Sequence, residues 1–92
     1  ISRLLTDESG GVRVLAAGVL GRFGDRRAVP ALVRSLRDEK WYVRQAAATS
    51  LGLLRDRRAT RPLEIALQDS RPAVSNAAHA SLKALGGERR KP

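Results

Sequence analysis

Apolar positions in the middle of this chain fall at helical spacing. Val29, Leu32, Val33 and Leu36 stand at i, i+3, i+4 and i+7, one face of a helix. Val43, Ala47, Ser50, Leu51 and Leu54 form a second stripe of the same kind. Asp38 and Glu39 separate the two, and acidic side chains suit the N-terminus of the helix that follows. The spacing predicts one helix ending near Arg37 and another over about 40–54. In front of the first, Asp25 can cap Arg26, Arg27 and Ala28. Pro30 then suits a helix start, because it has no N–H to leave unpaired. A short leading turn, then a helix, is expected there.

The same design returns with a step of 31 residues. Asp7, Asp38 and Asp69 correspond, as do Val12, Val43 and Val74. So do Ala16, Ala47 and Ala78, then Leu20, Leu51 and Leu82, then Phe23, Leu54 and Leu85. Asp25-Arg26-Arg27-Ala28 recurs whole as Asp56-Arg57-Arg58-Ala59. Self-similarity at a fixed period of this size marks a stacked-repeat architecture. In the last unit Thr60, Leu63, Ala66 and Leu67 face inward from a first helix. Val74, Ala78, Ser81, Leu82 and Leu85 do so from a second helix that starts near Arg71 and Pro72. The front is a partial unit, in which Ile1 and Leu5 align with Leu32 and Leu36, and residues 10–23 form a second helix. Gly10 and Gly11 should loosen its start, since Gly costs roughly 1 kcal/mol against Ala inside a helix. The expected organisation is a partial repeat over 1–24, full repeats over 25–55 and 56–86, and a basic tail over 87–92. Gly87 replaces the Asp of positions 25 and 56, and Gly at a helix end is a stop signal. The tail is expected to be disordered.

Composition narrows the classes. Ninety-two residues fit one small domain, which needs good packing or neighbours. Without Cys there is no disulfide or thiol chemistry, which says nothing of compartment beyond compatibility with the cytosol; a cytoplasmic location is the expectation. No apolar run approaches the roughly 18 residues of a membrane span, and no leader pattern is visible. The first residue is Ile1, inside a repeat, which suggests a piece of something longer. The formal net charge is +9, and all but Lys40, Lys83 and Lys91 of the 18 basic residues are Arg. Such a chain attracts anionic partners. Arg also suits solvated helix faces, however, and several Arg belong to the repeat itself.

Asp38-x4-Val43-Arg44-x2-Ala47-Ala48-x2-Leu51-Gly52-x-Leu54 is followed by Asp56-Arg57-Arg58-Ala59-x2-Pro62-Leu63. This succession resembles HEAT repeats, most closely the short subclass named after phycobilisome lyases. The resemblance covers residues 1–86 and recurs three times. It implies an all-α fold, a short right-handed α-α superhelix of the HEAT/armadillo type with about three two-helix units. The first-type helices would line the convex side and the second-type helices the concave side. The resemblance also implies an inter-repeat ladder joining each turn Asp to an Arg six residues on, here Asp7 with Arg13 and Asp38 with Arg44. Asp69 meets Ser75 instead, so the ladder and the array are expected to stop there. The subclass spans many roles, so it is informative about fold rather than function.

A helical wheel puts Tyr42, Gln45, Ala46, Thr49 and Leu53 opposite the buried stripe of the second helix. Their counterparts include Val14, Gly18 and Arg22 in the front unit and Asn76 in the last. Under the family geometry this set is the concave face, almost uncharged. Trp41 lies beside Tyr42, and the two are common binding anchors. Trp41, Tyr42, Gln45, Thr49, Leu53, Arg22 and Asn76 are therefore the candidate contacts for a partner helix or extended peptide. Alternatively the two rings pack on neighbouring repeats, or the patch self-associates. Arg26, Arg27, Arg34, Arg57, Arg58 and Arg61 fall on the first-type helices and their leading turns. They are candidate phosphate contacts for a nucleic-acid-binding alternative, without aromatic platforms for bases. An accessory or chaperone role like that of bilin lyases is a further alternative, with no residue here to hold a chromophore. No enzyme is expected. His79 is the sole His and lacks a carboxylate at helical spacing, the turn acids read as caps, and no phosphate loop is present. No cofactor or metal is expected, and no membrane partner.

Overall fold

The computed structural model describes residues 9–86. The described residues form five α-helices and no strand, an all-α helical repeat superhelix. α1 spans Gly10–Phe23, α2 Val29–Ser35, α3 Trp41–Leu54, α4 Thr60–Ala66 and α5 Pro72–Gly86. A 3-10 turn precedes each short helix, Arg26–Ala28 before α2 and Arg57–Ala59 before α4. The long helices α1, α3 and α5 pack side by side in one layer, with α2 against α3 and α4 against α5 in the other. Ile1, Arg3, Leu5, Asp7, Gly87 and the expected tail over 87–92 lie outside the described residues.

Local chemistry sets these boundaries. The Asp25 carboxylate accepts the Arg27 N–H at 2.9 Å, and Asp56 accepts that of Arg58 at 2.9 Å, capping the two 3-10 turns. Pro30 sits at the start of α2. α2 stops at Ser35, slightly short of the expected Arg37, and the chain passes through a turn to Lys40. α1 ends on Gly24 in the left-handed region at φ 71°, where a glycine meets no steric penalty.

The core is built from the predicted stripes. Leu32, Val43, Ala47, Leu51, Leu63, Val74 and Ala78 are fully buried. Thr60 and Leu67 are half-buried, and so are Leu82 and Leu85. Small residues dominate where the long helices meet. The Ser50 hydroxyl donates to the Ala17 carbonyl at 2.6 Å, and the Ser81 hydroxyl donates to the Ala48 carbonyl at 2.6 Å. Each serine rests on a glycine of the preceding long helix. A Cβ on Gly21 would meet Ser50 Cβ at 2.5 Å, and one on Gly52 would meet Ser81 Cβ at 2.7 Å.

The expected looseness at Gly10 and Gly11 has a different outcome. Ser9 caps α1 by accepting the Val12 N–H at 3.4 Å, and Gly10 is the first helical residue. The interior penalty for Gly therefore does not apply to Gly10. Instead, its missing side chain makes room for Tyr42, whose hydroxyl would stand 2.6 Å from a Cβ there.

The seam predicts opposite signs for two glycine substitutions. Gly→Ala inside a helix ordinarily stabilises by up to about 1 kcal/mol. At Gly18, whose Cβ would meet nothing within 4 Å, that gain is expected in urea denaturation. At Gly52 the same change should destabilise by roughly 1–3 kcal/mol through overpacking against Ser81. A stabilised Gly52→Ala protein would show that the helices need no such approach.

Candidate functional site

Four aspartates organise the turns, each accepting the backbone N–H two residues on. Asp25 takes it from Arg27 and Asp56 from Arg58, as above. Asp38 takes it from Lys40 at 2.8 Å and Asp69 from Arg71 at 2.9 Å. Asx turns of this kind suit Asp, whose short carboxylate reaches its own chain. The side-chain partners differ. Asp25 and Asp56 bind the guanidinium of Arg27 and Arg58 locally. Asp38 and Asp69 bind the preceding unit instead. Arg13 donates to Asp38 through Nε and Nη2 at 2.7 and 3.0 Å. Arg44 donates to Asp69 likewise at 2.7 and 3.1 Å.

This corrects the expected ladder, which paired Asp38 with Arg44 inside one unit. The Asp38 carboxylate is occupied by Lys40 and Arg13. Arg44 reaches only the Asp38 backbone carbonyl, through Nη1 at 2.8 Å, and its remaining donors cross to Asp69. Asp69 is thus the acceptor of the second rung and not the place where the ladder fails. Ser75, in the position of a third Arg, donates its hydroxyl to the Pro72 carbonyl at 3.2 Å. The expected partner of Arg13, Asp7, lies outside the described residues.

These contacts hold the carboxylates ionised. The Arg58 guanidinium, with its backbone N–H, lowers Asp56 to about 2 from an ordinary 3.8. Asp25 is lowered by Arg27 in the same way. The Arg44 fork lowers Asp69, against partial burial. At Asp38 burial is the largest influence and raises the pKa, but Arg13 and the Lys40 N–H together outweigh it.

On the exposed side of the long helices, Val14, Gly18 and Arg22 of α1 face Tyr42, Gln45, Ala46, Thr49, Ser50 and Leu53 of α3 across an open groove of about 420 Å³. Five of the seven candidate contacts meet there: Arg22, Tyr42, Gln45, Thr49 and Leu53. Trp41 and Asn76 do not line it. Gly18 makes the floor low, and Leu53 stands 58% exposed on the wall. Arg22 is the single charged lining residue.

The aromatic pair is half structural. Trp41 and Tyr42 meet edge to face, with centroids 5.7 Å apart and planes at 81°. Trp41 points to the following unit, where the Arg71 guanidinium lies 4.9 Å from its ring centroid. That is cation–π distance. Tyr42 covers Gly10 in the preceding unit and still borders the groove. Adjacent residues of a helix diverge by about 100°, so the two rings serve opposite seams.

The six candidate phosphate contacts are scattered and partly engaged. Arg27 and Arg58 are held by their aspartates, and Arg61 pairs with Glu64 at 3.4 Å. Arg26 Nε donates to the Leu54 carbonyl at 3.4 Å. Arg34 and Arg57 are exposed on α2 and the second 3-10 turn. His79 is exposed on α5. Among the described residues no cluster of three or more His, Cys, Asp or Glu is placed to hold a metal ion. Among the described helices none is long and apolar enough to cross a membrane.

A family model described as HEAT repeats matches residues 1–90, and the chain belongs to that family. Among curated proteins none matches it.

Two outcomes follow from the ladder. Arg44→Ala leaves a largely buried Asp69 carboxylate without its fork and should cost about 1–3 kcal/mol in chemical denaturation. Arg34→Ala, at an exposed position, should stay within about 0.5 kcal/mol. The depressed aspartate pKa values mean that the folded state holds these carboxylates deprotonated more tightly than the unfolded chain does. Their contribution is complete above the ordinary 3.8 and is lost as pH falls from there through about 2. Thermal midpoints by circular dichroism should drop across that window. The drop should shrink in Asp56→Asn, which removes one of the titrating groups.

Proposed function

We propose that this chain is a non-catalytic scaffold, and that the groove between α1 and α3 receives a segment of a partner protein. HEAT repeats generally mediate protein–protein interaction, which sets the class. One observation carries the choice of face: five candidate contacts converge on an open groove whose floor is a glycine with empty space above it. Gly18 has no packing duty of its own, unlike Gly21 and Gly52. Leu53 offers exposed apolar surface and Tyr42 a ring edge, while Gln45 and Thr49 can bond to a backbone. One charge at the end, Arg22, would set direction. That inventory suits a helix or extended strand with small apolar side chains.

Trp41 and Asn76 belong to this reading only as flanking residues. Trp41 holds the seam to the last unit, so replacing it would test stacking rather than capture. The phycobilisome-lyase-type likeness supports the 31-residue repeat design and adds no chromophore chemistry to it. We place the protein in the cytoplasm, in keeping with its cysteine-free composition. The four turn aspartates are engaged by Arg and backbone N–H groups, which supports a structural use for them over an acid–base one.

The test separates binding from folding. Gly18→Leu fills the groove floor while removing a helix-interior glycine, so it should raise the thermal midpoint and abolish binding. Leu53→Asp should weaken binding without unfolding an already exposed position. Peptides selected from a displayed library on the parent protein would be measured on both variants. Binders that keep their affinity for Gly18→Leu would place the contact surface elsewhere.

A further inference from the structure

A second concavity lies in the other layer, between α2 and α4. Its floor is aliphatic: Val33 and Leu36 from the first unit meet Pro62, Ile65 and Ala66 from the second. The space is about 510 Å³, within the range of pockets that take a peptide side chain or small ligand. Ile65 is 66% exposed at its edge, a large apolar surface with no described neighbour covering it. Arg37 and Arg61 border the same space.

The charges around it do not cancel. The one acid in the lining, Asp69, has its carboxylate engaged by Arg44 and the Arg71 N–H. Arg61 shares an exposed 3.4 Å contact with Glu64, an i, i+3 pair worth little in water. Arg37 is exposed and has no side-chain bond or ion pair among the described residues. Arg34 stands exposed one helical turn before it. The result is an apolar slot with guanidinium groups at its rim, on a chain of net charge +9.

We propose that this slot binds an acidic protein segment, one bulky apolar side chain seated between α2 and α4 with flanking carboxylates on Arg37 and Arg61. Charge complementarity names the partner, since guanidinium forks match carboxylates and the aliphatic floor takes a side chain. The same features disfavour nucleic acid. The lining has no aromatic ring for bases, and its two cations, Arg37 and Arg61, border a pocket instead of tracking a strand. This site is independent of the α1–α3 groove, because no residue lines both.

The test uses the intact chain and a short synthetic peptide with a central Phe flanked by glutamates. Its glutamine analogue and a single-stranded oligonucleotide of equal charge serve as comparisons. Fluorescence anisotropy should show binding of the acidic peptide that weakens as salt rises. Arg37→Glu and Ile65→Asp, both at exposed positions, should each lower affinity at least about tenfold. The glutamine analogue should bind no better than those variants. Leu53→Asp, in the other groove, should leave the affinity unchanged. The proposal is overturned by no binding at low salt, by binding indifferent to Arg37→Glu and Ile65→Asp, or by equal binding of the oligonucleotide lost in the same variants. Loss with Leu53→Asp alone would assign the peptide to the α1–α3 groove and equally overturn the slot.

Discussion

Everything in this structure depends on how closely the long helices approach one another. Ser50 and Ser81 each donate a hydroxyl to a carbonyl of the preceding long helix at 2.6 Å, and each sits on a glycine that has no side chain to interfere. A hydroxyl buried this deeply would cost free energy unless it found a partner. The partner exists only if the two backbones come close enough to bring the carbonyl within reach. Gly21 and Gly52 permit that approach, and Ala17 and Ala48, fully buried, keep the contact thin. The α1–α3 groove opens directly above one of these seams, with Ser50 itself in its lining.

The aspartate–arginine ladder acts on the same seams from the turn side. Asp38 shows the balance of forces: burial alone would favour its neutral form, and only the Arg13 fork and the Lys40 N–H keep it charged. Each rung spans two units, so removing one arginine exposes a defect in its neighbour as well as in its own turn. The ladder and the Asx turns also shape the outer field. All four described aspartates are engaged by arginine, which leaves the surface to the remaining cations. Paired one to one, these aspartates and arginines cancel, so the +9 charge resides in the arginines left over, and among the described residues Arg37 and Arg61 set part of it beside the apolar surface of the α2–α4 slot.

Much of the fold was legible because it is periodic. Val43, Ala47 and Leu51 announce a helix by spacing and a repeat by recurrence, and both signals are local. The ladder was not legible in the same way. Arg44 lies six residues from Asp38 and 25 from Asp69, and sequence distance favours the wrong partner. Only the stacking of α3 on α5 brings Asp69 within 2.7 Å of Arg44 Nε. Glycine misled for a related reason. Gly10 reads as a weak helix residue until Tyr42 is seen on top of it, because a steric allowance has no sequence signal apart from the residue that uses it. For the candidate site, the wheel gathers Tyr42, Gln45, Thr49 and Leu53 correctly onto one face of α3. It cannot show that Trp41, one residue earlier, turns to Arg71. The α2–α4 slot was invisible because its walls come from two short helices and the turn after the first, whose outward residues, Arg37, Arg61 and Ile65, look like ordinary solvated positions.

The two ends of the described stack differ in chemistry, and the seam explains how. The long-helix face that receives a following helix carries Arg13, Ala17 and Gly21 in α1, and Arg44, Ala48 and Gly52 in α3. In α5 the corresponding positions are Ser75, His79 and Lys83, so the ladder cation, the thin contact and the steric allowance are all replaced together. His79 and Lys83 are exposed there. A helix laid on α5 in the register that α5 takes on α3 would meet the Lys83 side chain where Gly21 and Gly52 leave room. At the other end the relation is reversed. The face of α1 that corresponds to Val43, Ala46, Ser50 and Leu54 carries Val12, Leu15, Val19 and Phe23, larger and wholly apolar, with Leu15 70% and Phe23 73% exposed. Val19 has no hydroxyl to donate, so nothing there demands the close spacing of the internal seams. One end therefore presents projecting polar side chains and the other a bulky apolar stripe. The repeat is directional in its surface chemistry as well as in its chain.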